Sequence, residues 1–211
     1  MTIRMLTVLT IVSGIIAIAG HYIEPPWIVY VFKPLTTILI LITAILGGAN
    51  APPIYRIAIL IGLVFSLAGD VLLMLPSDQF TAGLVSFLIA QICYIVAFTS
   101  SRGFNIGWIS LVVVVIYGAM VYALLSPYLG KMRLPVIAYM LVILMMAWQA
   151  WERWSALGDR GALFAFIGAV LFVLSDTILA WNRFRGEFTA ARALSLGTYY
   201  AAQWLITNSL F

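Results

Sequence analysis

The sequence predicts an all-α polytopic membrane protein, a single bundle of eight transmembrane helices, and three observations carry that expectation. Of 211 residues, 64% are hydrophobic and only 9% charged, against about 25% charged in a soluble domain. Apolar stretches of roughly 17 to 22 residues recur along the chain, each long enough to cross a bilayer as a helix. Short breaks rich in Gly, Pro and Ser separate them. Strands are excluded, because a barrel in lipid needs dyad alternation and none is present. One domain covering residues 1–211 is expected, since the length suits one compact unit and no linker or low-complexity segment divides it.

The expected spans run over about 4–20, 27–47, 54–75, 80–99, 107–126, 134–152, 162–182 and 193–210. The first follows Arg4 and contains Ala17-Ile18-Ala19, which resembles a signal-peptide cleavage site. With the chain starting at Met1, the run is read as a retained first helix. Glu24-Pro25-Pro26 closes that run and Gly47-Gly48-Ala49-Asn50-Ala51-Pro52-Pro53 closes the second. Pro76-Ser77-Asp78 and Ser100-Ser101-Arg102-Gly103 punctuate the next two. Trp27, Trp108, Trp151 and Trp154 fall at span ends, the place of interfacial anchors.

Charge excludes one class and leaves orientation balanced. The formal charge of +4 is scattered one or two residues per loop, with no basic run to track phosphates, so nucleic acid is not an expected partner. Eight spans put both termini on one side. Arg4, Arg56, Arg102, Arg153 and Arg160 then face Lys131, Arg133, Arg183, Arg185 and Arg192 across the membrane, a tie. Arg4 with the α-amino group tilts the termini towards the cytoplasm, in a bacterial-type inner membrane. Cys93 is the only cysteine, which excludes an internal disulfide and reads as a core thiol.

Polar groups within the spans carry the functional signal, because an ionisable side chain in hydrocarbon is costly. Three charges lie inside: Lys33, Asp70 and Asp176. Lys33 lies roughly 9 Å into span two, Asp70 roughly 8 Å from the end of span three, and Asp176 roughly 9 Å from the end of span seven. Spans alternate in direction, so all three depths are measured from the face opposite the termini. Tyr139 and Tyr199 fall in the same half, with Gln91 and Gln203 nearer the midplane. Gly62, Ser66 and Asp70 share one face of span three, and Ser195, Tyr199, Gln203 and Thr207 form a stripe on span eight. Stripes of small and hydroxyl residues also serve helix packing, and Lys33 can snorkel to the interface. Two carboxyl groups cannot both be explained by one ion pair with Lys33, which points to a polar cavity with a function.

The residue types narrow the chemistry. His21 is the only histidine and sits in a loop, and no Cys/His cluster offers a zinc site, so neither a metal nor another cofactor is expected. A serine triad lacks its histidine. Carboxylate acid–base work remains: two aspartates in one apolar pocket, with an ammonium near one of them, are expected to hold different protonation states.

Five segments in order then resemble a known family. They are Phe32-Lys33-Pro34-Leu35, Ala68-Gly69-Asp70, Leu134-Pro135-Val136-Ile137-Ala138-Tyr139, the run from Leu174 through Asp176 to Asn182, and the run from Thr198 through Gln203 to Ile206. Together they resemble the lysoplasmalogenase family of YhhN-like membrane proteins, from span two to the C-terminus. One departure is Gln91 in Ala90-Gln91-Ile92-Cys93-Tyr94, where family members often carry His; the position is then at most a hydrogen-bonding one.

The resemblance implies hydrolysis of the vinyl ether bond of lysoplasmalogens to a fatty aldehyde and a glycerophospho-base, with a lysophospholipid in the bilayer and water as partners. The residues suit that reaction, with Asp70 and Asp176 expected as proton donor and as ion stabiliser or water base, in an order left open. Lys33 tunes a carboxylate or meets the head group. Tyr139, Asn182, Tyr199, Gln203 and Gln91 position substrate or water, and Arg183 or another basic residue meets the head-group phosphate at the rim. A membrane transporter and a non-catalytic lipid-binding protein remain alternatives, since both place ionisable groups in a cavity.

Overall fold

A computed structural model describes residues 2–23 and 25–211. Eight α-helices follow one another: α1 Ile3–Ala19, α2 Trp27–Gly47, α3 Pro53–Met74, α4 Phe80–Thr99, α5 Trp108–Leu125, α6 Arg133–Leu157, α7 Arg160–Ala180 and α8 Ala191–Asn208. No strand occurs among the described residues. Local chemistry explains the ends. Thr2 caps α1 through its side chain, Pro53 opens α3, and Asp159 caps α7 by accepting from the Ala162 amide at 2.7 Å. Gly158 closes α6 at φ 65°, a left-handed backbone that favours glycine.

Helix positions follow the apolar runs closely, with one extension. The expected sixth span stops at 152, whereas α6 continues to Leu157. The additional turn leaves the apolar run and ends only where Gly158 allows the chain to reverse. The turn at Glu24-Pro25-Pro26 is described from Pro25 onward, Glu24 lying outside the described residues, as does Met1.

The expectation of eight spans needs a correction. Among the described residues six helices are long and apolar enough to cross a membrane, α2 to α7. At 17 residues α1 falls just short. Helix α8 is diluted by its own inward stripe: Ser195, Tyr199, Gln203 and Thr207 are all buried, so its polarity serves the interior. The chain is an integral, multi-pass membrane protein. Its exposed surface fits lipid, with Ile109, Ile116, Leu134 and Leu141 each more than 60% exposed.

Consecutive helices pair as α1–α2, α3–α4 and α7–α8, and α6 joins α4 to α7. Helix α8 returns to pack against α1, α2 and α3, which closes the assembly. Helix α5 lies outside, mainly against α6. Of the four span-end tryptophans, Trp27 and Trp108 are exposed as anchors should be. Trp151 and Trp154 instead pack on Phe166 of α7, with ring centroids 5.4 and 5.2 Å away. Cys93 is half-buried and unpaired, so it is less deeply enclosed than a core thiol.

The α3–α4 contact carries Asp70 and depends on close approach. A Cβ on Gly69 would stand 2.6 Å from a ring carbon of Phe87, a buried neighbour whose ring packs edge-on against Phe172 and Tyr199. Small residues permit such backbone approach where lipid offers no hydrophobic drive to associate. Gly69→Ala is expected to cost about 1–3 kcal/mol through overpacking, read as a lower thermal midpoint of the purified protein in detergent.

Candidate active site

Three helices, α2, α3 and α7, bring the intramembrane charges together. Lys33 and Asp70 face each other across α2 and α3, Nζ to Oδ1 at 3.7 Å, with only 7% and 1% of each residue exposed. Thr37, one turn beyond Lys33, donates to Asp70 Oδ2 at 2.6 Å, and Tyr199 from α8 donates to the same oxygen at 2.8 Å. Asp70 is thus surrounded by a cation and two hydroxyl donors, the environment of a carboxylate.

Asp176 on α7 is held differently. Its Oδ2 accepts from the Tyr139 hydroxyl and from Gln91 Nε2 at 3.3 Å, while Gln91 Nε2 also donates to the Tyr139 oxygen at 2.7 Å. Among the described residues no cation stands within ion-pair distance of Asp176, and its Oδ1 makes no hydrogen bond to protein. One carboxylate oxygen is fixed from behind and the other is left for whatever enters.

Both aspartates line one cavity of about 620 Å³. Lys33, Tyr199, Asn182 and Arg192 share its wall, and the α1–α2 loop from Gly20 to Ile23 roofs it. That roof is tied down by Tyr22, whose hydroxyl donates to the Thr189 carbonyl at 2.7 Å and accepts from the Ala193 amide at 3.3 Å. Ser175 donates to the Ser195 carbonyl at 2.9 Å, which fixes α7 to α8 beside Asp176. A second, apolar slot of about 60 Å³ opens between α4, α5, α6 and α7, and Asp176 and Leu179 line both spaces. Asp176 therefore stands where a polar chamber meets an apolar one. Among the described residues no three His, Cys, Asp or Glu side chains gather as metal ligands.

The YhhN family matches residues 28–210, nearly the whole bundle. The chain belongs to the YhhN family. It is 30% identical over 201 residues to the membrane protein YhhN of Escherichia coli O6:H1, covering 94% of this chain and 95% of that one. It is 36% identical over 152 residues to human lysoplasmalogenase TMEM86B, covering 70% of this chain and 60% of that one. Bovine lysoplasmalogenase TMEM86A is 35% identical over 158 residues, with 72% and 64% covered. No solved structure matches the chain.

Measured against this YhhN-family site, most sequence expectations converge and some do not. Lys33, Asp70, Asp176, Asn182 and Tyr199 line the cavity, and Tyr139 and Gln91 hold Asp176 from behind. Gln203 does not reach it. That side chain accepts from Tyr94 at 2.7 Å and donates to Ser66 at 2.8 Å, tying α8 to α4 and α3 beneath the cavity floor. Arg183 stays at the rim, off the main cavity wall: its Nη2 donates to both Asp78 carboxylate oxygens at 2.7 and 3.0 Å, and it lies over the Phe80 ring. The five residues Trp181–Arg185 form a wider π-helical turn from which Asn182 reaches the main cavity, and Arg192 supplies the arginine of its wall.

Two residues of the site are not among the sequence expectations, Thr37 and His21, and Arg192 is the other basic residue at the rim. Thr37 had a readable signal, one turn from Lys33 on the same face. His21 had none, because a loop residue is placed by tertiary packing. It lines the cavity, and partial burial, then the nearby charges of Arg192 and Lys33, pull its pKa down to about 4 from 6.5.

A histidine whose folded pKa lies below its unfolded value stabilises the fold above the unfolded pKa, and that stability drains as pH falls through the folded one. The thermal midpoint is accordingly expected to fall between pH 6.5 and about 4, and His21→Gln should flatten that decline when the two proteins are melted side by side.

Proposed function

We propose that this chain is a lysoplasmalogenase-like hydrolase that cleaves the vinyl ether bond of a lysoplasmalogen lying in the bilayer. The observation that carries the reading is Asp176 at the junction of a polar cavity and an apolar slot, with Asp70 and Lys33 in the same cavity. A single-tailed lipid has its vinyl ether at that kind of junction, between a hydrated glycerol head and an alkyl chain. The lysoplasmalogenase relatives support the substrate class.

Asp176 is the proton donor in this mechanism. A carboxyl group in hydrocarbon without a countercharge is held as the neutral acid. With Oδ2 accepting from Tyr139 and Gln91, the acid proton resides on Oδ1, the oxygen open to the cavity. It transfers to the vinyl carbon β to the ether oxygen, leaving an oxocarbenium ion and an Asp176 carboxylate. Asp70, kept ionised by Lys33, stabilises that cation and takes a proton from the water that adds to it. The product is a hemiacetal. Its hydroxyl proton returns to Asp176 while Asp70 protonates the departing glycerol oxygen, releasing a fatty aldehyde and a glycerophospho-base and restoring both carboxyls. Water is consumed once and no cofactor is needed.

The same reading takes residues 1–211 as one transmembrane domain in a bacterial-type inner membrane. The apolar slot receives the first carbons of the chain, and the rest passes the edge-to-face pair of Phe80 and Phe184 towards lipid.

Purified protein given a lysoplasmalogen is expected to release fatty aldehyde. Asp176→Asn and Asp70→Asn should each slow release by about 10²–10⁴, the usual worth of a positioned acid or base. Tyr139→Phe should slow it by about tenfold, the worth of one hydrogen bond. Wild-type rates in both folded Asp variants would end the two-carboxylate mechanism. Lipid binding with no aldehyde from the wild type would favour a binding protein, and flux of an intact solute would favour a transporter.

A further inference from the structure

The cavity holds more positive charge than its chemistry uses. Lys33 is committed to Asp70. Arg192 lies on the first turn of α8, exposed to the cavity, and also lines a vestibule of about 420 Å³ that Asn182 and Leu179 share with the main chamber. Among the described residues it makes neither an ion pair nor a side-chain hydrogen bond. His21 faces the same space from the roof. Its lowered pKa leaves it neutral at pH 7, so it can donate one ring N–H without adding charge. Of the other two arginines of this rim, Arg183 is paired with Asp78, and Arg185 lies over the Trp181 ring at 4.0 Å and does not line the main chamber.

We propose, resting on the lysolipid reading above, that Arg192 and His21 form a binding subsite for the phosphodiester of the lipid head group. Guanidinium meets a phosphate through two parallel N–H donors, and the imidazole N–H takes a further oxygen. The placement matches the substrate's own layout. The phosphate sits at the mouth, where Arg192 borders both chamber and vestibule, and the ether bond lies deeper at Asp176. An anion at Arg192 is also kept apart from the carboxyl of Asp70, which its own lysine neutralises. The subsite selects single-tailed lipids that carry phosphate over neutral alkenyl- or alkylglycerols.

The test is equilibrium binding of non-cleavable ligands to the full chain in lipid nanodiscs. Alkyl-ether lysophosphatidylethanolamine is compared with 1-O-alkylglycerol of equal chain length. Arg192→Gln is expected to weaken the phospholipid by about tenfold and to leave the alkylglycerol unchanged. Arg192→Lys should recover part of the loss, and His21→Gln should reproduce a smaller loss with the same selectivity. Equal weakening of both ligands, or of neither, overturns the subsite. Displacement of the lysolipid by inorganic phosphate at matched concentration would overturn the lipid-borne phosphate in favour of a free one. Because these ligands are not cleaved, phosphate-selective binding without aldehyde release in the turnover assay would remove the hydrolase and leave the subsite standing.

Discussion

The Lys33–Asp70 pair is the constraint on which the rest of the site is built. Each charge alone would be expensive at this depth, and removing one partner of a buried pair typically costs about 3–5 kcal/mol, because the other is left uncompensated. A single contact at 3.7 Å does not complete the solvation of a carboxylate. Thr37 and Tyr199 supply the remaining donors, from α2 and α8. Three helices are therefore held in register by one carboxyl group, and small residues such as Gly69 let α3 come close enough to α4 to keep it there.

The two aspartates are chemically unlike because their neighbours are unlike. Asp70 faces a cation and hydroxyl donors, whereas Asp176 faces a tyrosine, an amide and an apolar slot. An enzyme that must deliver a proton to carbon and then manage a cation needs that asymmetry more than it needs either group by itself. Gln91 illustrates the economy of the arrangement: one amide nitrogen contacts both Tyr139 and Asp176, so the position needs only to donate.

Much of this was legible in the sequence, for a physical reason. Hydrocarbon penalises every unpaired polar group, so depth counted along alternating helices predicts which polar residues meet. Lys33, Asp70, Asp176, Tyr139 and Tyr199 were found that way. The method stops where the chain leaves the regular helix. Arg183 and Arg192 both lie at span ends, and only the fold shows that the first is paired with Asp78 in the π-helical turn at 181–185 while the second lines the cavity. His21 belongs to a loop whose course no periodicity records. Gln203 has the right depth and face, yet Tyr94 and Ser66 claim it first. Helix α8 was expected as a span, yet its buried stripe of Ser195, Tyr199, Gln203 and Thr207 leaves it outside the six helices that are apolar enough to cross.

The bond network of Tyr22 has a bearing on how the protein is made. Its hydroxyl ties a loop near the start of the chain to residues some 170 positions later. During synthesis Lys33 and Asp70 leave the ribosome in consecutive helices and can neutralise one another early, so the most costly charges never wait alone in lipid. Tyr199 and Tyr22's partners arrive only with the last helix. The chamber is therefore completed at the end of translation, and a chain truncated before α8 carries the paired charges but has no roofed site in which to use them.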